Sequence, residues 1–136
     1  MNVYLKEGRL PTESNDCSVI ALAYACDLDY KDAHSVCKKR GRKNNKGFSL
    51  VNVFRHDNGY SLKEKEFKLF VIADKKFTVT YYGRPKMSVG KFKKHNPVGT
   101  FIIRVGGHLF CMKDGEVLNQ TNDRDKISYY HKINKH

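Results

Sequence analysis

The sequence predicts an α+β domain, with helices gathered in the first half and an antiparallel sheet in the second. Three observations carry this expectation. Between residues 17 and 37 the apolar residues fall in an unbroken run or at three- and four-residue steps. From Phe67 onward the apolar segments are short and rich in aromatic and β-branched residues. Lys113-Asp114-Gly115 separates two such segments and has the chemistry of a hairpin turn.

The elements follow in order. A short strand is expected around Val3 to Leu5. Ser14, Asn15 and Asp16 are all good N-cap residues, so a helix should run from Cys17 to Cys26. That segment is apolar almost all round, which places it in the middle of the domain. Asp27 to Asp29 breaks it. Asp29 can cap a second helix with Tyr30, Ala33, Val36 and Cys37 on one face, and Gly41 suits its end. A third helix is expected from Ser49 through Asn58, with Leu50, Val53 and Phe54 inward and Gly59 as terminator.

Strands are expected at Phe67 to Ile72 and Phe77 to Tyr82, followed by one or two helical turns from Ser88 to Lys94. Asn96-Pro97 and Gly99 mark a loop. Thr100 to Val105, His108 to Met112, Glu116 to Leu118 and Ile127 to Ile133 complete the sheet. No repeat or linker divides the chain, so residues 1–136 read as one domain.

At 40% apolar residues the chain is globular in composition. No apolar stretch is long enough to cross a bilayer and no signal-peptide pattern opens the sequence, so a cytoplasmic protein with reduced cysteines and no membrane partner is expected. The net charge of +12 predicts attraction to polyanions or acidic proteins. Lys38, Lys39, Arg40, Arg42, Lys43 and Lys46 concentrate part of it. The plain interpretation is a solvated helix end whose charge complements the helix dipole. The sharper one is a nucleic-acid contact, with Tyr60, Phe67, Phe77, Tyr81 and Tyr82 as stacking partners. No helix-turn-helix, zinc-finger or RNP pattern accompanies it.

The residues with chemical promise are Cys17, His108 and Asn119. A thiol at a helix start meets unpaired backbone N–H groups and the positive end of the dipole, which favour the thiolate. His108 follows Gly106-Gly107 at the head of the hairpin, and an imidazolium there would favour the thiolate further and later protonate a leaving amine. Asn119 ends the other hairpin arm, where it would orient the ring. Asn15 and the Cys17 backbone N–H would form the oxyanion site. Each has a plainer alternative. Cysteines in apolar helices are usually small core residues, as Cys26, Cys37 and Cys111 are expected to be. His34 is expected to be structural, and His56, His95, His131 and His136 to be solvated. Asn119 also suits a simple turn. Without a Cys-x-x-Cys pair or a glycine-rich phosphate loop, neither zinc nor any other cofactor is expected.

Asn15-Asp16-Cys17-Ser18-Val19 with Ala21-Leu22-Ala23 resembles the nucleophile helix of papain-like cysteine peptidases, in particular small single-domain ones of bacteriophages related to bacteriocin-processing peptidases. Tyr30, Ala33-His34, Gly41-Arg42-Lys43 and Gly47 resemble the second-helix segment. Gly99 to Ile103 followed by Gly107-His108 resembles the catalytic-histidine strand, and Asp114 to Asn119 the segment ending in the third catalytic member. Asn119 stands where the phage proteins carry Asp, and no Gln precedes Cys17. The resemblance implies a papain-like fold and a hydrolase cutting peptide, isopeptide or amide bonds by thiol acyl transfer. The protein would be phage-encoded, acting in the bacterial cytoplasm on a host or phage protein, with an acidic protein or peptide suited to its charge. The alternatives are an inactive scaffold of this type that binds a host protein, and a basic nucleic-acid binder.

Overall fold

The computed structural model describes residues 16–43, 46–55, 59–118 and 123–136. Among the described residues the chain is α+β: three helices packed on an antiparallel sheet of six strands. Helices α1 (Cys17–Cys26) and α2 (Tyr30–Lys39) come first, then a single 3-10 turn, Leu50–Asn52. Strands β1 (Phe67–Ile72) and β2 (Lys75–Gly83) precede α3 (Val89–His95). Strands β3 (Thr100–Val105), β4 (His108–Lys113), β5 (Glu116–Val117) and β6 (Tyr129–Lys135) complete the chain. The spatial order is β1-β2-β6-β3-β4-β5.

Helix α1 carries no charged residue, and it is buried along most of its length between β4 and α2. It stops at Asp27, whose left-handed backbone (φ 53°) turns the chain toward α2. Helix α2 is two-sided, with Tyr30, Ala33 and Cys37 inward and Lys38 and Lys39 in its last turn, where cations suit the dipole. Gly41 follows at φ +111°, a conformation that favours glycine and lets the helix end there.

The β4–β5 turn uses Asp114 and Gly115, both at positive φ, as a tight hairpin of this twist requires. The β3–β4 turn is equally short: Val105 pairs with His108, leaving only Gly106 and Gly107 between them.

Alternation along the strands sorts side chains onto two faces. Ile102, Leu109, Cys111 and Ile133 join α1, α2, Leu50 and Phe54 in the larger core. Phe101, Ile103, Val105, Phe110 and Met112 join Val89 and Phe92 of α3 in a smaller one.

Three expectations are corrected. The third helix is only one 3-10 turn, capped by the Ser49 hydroxyl accepting from the Val51 N–H. Phe54 still donates back to Leu50, but Arg55 then pairs with Ser61 as an isolated bridge, so the chain has left helical geometry. Val51 and Val53, both β-branched, make that short run a weak helix former. The last strand is shifted to Tyr129–Lys135, with Ile127 buried in the smaller core ahead of it. Asp16 does not cap α1 with its side chain: it is buried and accepts the Tyr30 hydroxyl at 2.7 Å. The strand expected near Val3 lies outside the described residues. No described helix is long and apolar enough to cross a membrane.

Candidate functional site

Cys17 is the first residue of α1, half-buried and packed against the edge of the larger core. The other three thiols are buried. Burial pushes Cys37 and Cys111 up to about 12, and raises Cys26 further, so none of these is a thiolate near neutral pH. Cys17 is thus the one thiol of the four within reach of solvent, at the N-terminal end of a helix, where the first backbone N–H groups have no partner within the helix. Behind it the Ser18 hydroxyl is buried and has no hydrogen-bond partner among the described residues.

Asp27, just beyond α1, forms ion pairs with Lys113 at 2.8 Å and with Lys135. These residues end β4 and β6, so the C-terminus of α1 sits at that rim of the sheet. Its N-terminus points toward the opposite rim, where β4 begins with His108. The helix and the hairpin therefore bring Cys17 and His108 to the same rim.

They do not bring them to the same face. His108 pairs with Val105, and cross-strand partners share a face. Val105 belongs to the smaller core under α3. The His108 ring lies nearly parallel to that of Phe110, 6.1 Å away and also in the smaller core. Cys17 packs on the opposite, α1 side. The His108 Nε2 is buried and has no hydrogen-bond partner among the described residues. Asn119 and Asn15 lie outside the described residues.

Two further expectations change. His131 is not solvated but 1% exposed, on the α1 face of β6. Phe54, Tyr81 and Tyr129 surround it with ring centroids 5.1 to 5.5 Å away. Burial lowers its pKa to about 3, so the ring is neutral, and its Nδ1 has no hydrogen-bond partner among the described residues. A period-two signal exposes this in the sequence: His131 sits between Tyr129 and Ile133, all on one side of the strand. In the basic segment, Lys38, Lys39, Arg40, Lys43 and Lys46 are exposed, but Arg42 is 4% exposed and is not part of a solvated face. Its Nη1 lies 3.5 Å from the His34 ring. His34 is half-buried beside Tyr30, in keeping with a structural role. His95 and His136 are exposed, and His56 lies outside the described residues.

A cleft of about 350 Å³ opens at the far rim, lined by Asp27, Lys75, Lys135 and His136 among others. It does not adjoin Cys17 or His108. No group of metal-ligating side chains occurs among the described residues. No family model, no curated protein and no solved structure matches the chain.

Proposed function

We propose that the chain is a papain-like thiol hydrolase, with Cys17 attacking the carbonyl of a peptide, isopeptide or other amide bond. The single observation that supports this is the contrast among the four thiols: Cys17 alone is partly open, and it opens a helix. The thiolate adds to the carbonyl carbon. Backbone N–H groups at the start of α1, with Asn15, receive the developing oxyanion. The amine leaves with a proton from His108, and water then releases the acid from the thioester as His108 takes a proton back. Asn119 orients the ring. No cofactor enters. The substrate is a protein or peptide with acidic character, to match the charge of +12. The setting is the cytoplasm of a bacterium infected by the phage that encodes the chain.

The reading requires His108 to reach the Cys17 side. It is the first residue of β4, and the turn before it is unencumbered: Gly106 and Gly107 are exposed, and an added Cβ at either would meet nothing within 4 Å. Opening the Val105–His108 pair and lifting the ring from Phe110 is the motion needed.

The test is hydrolysis of a quenched fluorescent peptide library or of branched isopeptide substrates. Cys17→Ala abolishes turnover, and His108→Ala lowers it by about 100-fold or more. The face occupied by His108 favours a second reading, a catalytically inert basic protein that binds a host protein or nucleic acid. In that case Cys17→Ala leaves the biological effect intact.

A further inference from the structure

We propose that the free edge of β1 and the sheet face beside it bind an extended acidic segment of another protein, taken up as a seventh strand. The proposal goes beyond the thiol chemistry and does not rest on it.

Among the described residues, β1 ends the sheet and pairs only with β2. Its alternate residues Phe67, Leu69 and Val71 are 66, 55 and 56% exposed. Large apolar side chains in a row on an edge strand are a liability that proteins ordinarily blunt. Among the described residues the usual devices are absent. The ladder with β2 runs without a bulge from Phe67 to Ile72, and β1 contains no proline. Its one lysine, Lys68, is on the other face, where its Nζ donates to the Arg55 carbonyl and lies over the Phe70 ring. Helix α3 covers the neighbouring part of this face and leaves the stripe open.

The charge of the face selects the occupant. Across the ladders Phe67 stands beside Thr80 and Lys132, Leu69 beside Thr78, and Val71 beside Lys76. No Asp or Glu of β1, β2 or β6 lies on this face. Glu66, at the entry to β1, has its carboxylate on the Lys63 N–H. A second copy would bring a further +12 to a surface that is already positive. A strand that carries both apolar and acidic side chains on the one face it shares with this stripe, at every second residue, has the complementary pattern. Its backbone completes the open ladder, and on that shared face its apolar side chains lie on Phe67, Leu69 and Val71 while its carboxylates reach toward Lys76.

The experiment uses the full chain and a fluorescent ten-residue peptide with Val and Glu in turn at every second position and Thr between them, so that Val and Glu share a face, followed by anisotropy and by hydrogen exchange of the β1 amides. The expected result is saturable binding with added protection in β1, weakened at least tenfold by Leu69→Lys and at least threefold by Lys76→Glu. The same peptide with Lys in place of Glu does not bind. Leu69 and Lys76 are both exposed, so an unchanged circular dichroism spectrum and melting point show that the variants fold. Equal binding by the wild type and Leu69→Lys overturns the proposal. So does a concentration-dependent dimer abolished by Leu69→Lys, which makes a second copy the occupant. Protection of β1 by a single-stranded oligonucleotide but not by the peptide overturns it as well.

Discussion

The two faces of the sheet are clothed unequally. On one side α1, α2 and the turn at Leu50 bury a broad core that includes three thiols and a neutral histidine. On the other, the seven-residue α3 covers a smaller patch, and the stripe along β1 stays bare. The same strands supply both faces, so a single step along a strand changes a side chain's surroundings entirely. Leu109 meets α1, while His108 and Phe110 meet the α3 side. The comparison teaches that bringing two residues to one rim is not the same as bringing them to one site.

The largest effects come from emptying each core in turn. Phe54→Ala on the broad side and Phe92→Ala on the thin side both remove fully buried rings, and each should cost about 3–5 kcal/mol in urea unfolding. A cost below about 1 kcal/mol for Phe92→Ala would show that α3 is not an independent source of stability.

The next effect is confined to the broad face and depends on pH. His131 has a folded pKa lowered to about 3 by burial, against an ordinary value near 6.5. Below pH 6.5 the unfolded chain takes up a proton that the folded chain refuses. Stability is therefore full above that pH and falls as acid is added, by up to about 1.4 kcal/mol per pH unit until the folded group itself titrates. His131→Phe should remove this slope between pH 7 and 5. An identical slope in both proteins would mean that the ring is not sealed in its aromatic box.

The smallest effect is at the far rim. Burial tends to raise the Asp27 carboxyl, but hydrogen bonds from Lys113 and Lys135 outweigh it and hold it below the usual carboxylate range. The contribution is present at neutral pH and lost as pH falls through that lowered value. These side chains are partly open to solvent, so Asp27→Asn should cost about 1 kcal/mol or less, and less still in high salt.

How much of this was legible in the sequence follows from particular residues. The α+β layout and the span of α1 were readable because Cys17 to Cys26 holds no charge, and because Asp114-Gly115 allows only a tight turn. The rim shared by Cys17 and His108 follows from the same signals. The face of His108 was not readable. Leu109, Phe110, Cys111 and Met112 are all apolar because β4 is covered on both sides, so alternation carries no information there. Arg42 and His131 misled for the opposite reason. Each is polar, and only the surrounding structure reveals that it is enclosed.

Alkylation of the folded protein by iodoacetamide, read residue by residue by mass spectrometry, measures the thiol most directly. Cys17 should react far faster than Cys26, Cys37 and Cys111, and His108→Ala should slow it by about tenfold. A Cys17 rate unchanged by loss of the His108 ring would contradict a thiol–imidazole pair and leave the hydrolase reading without its base.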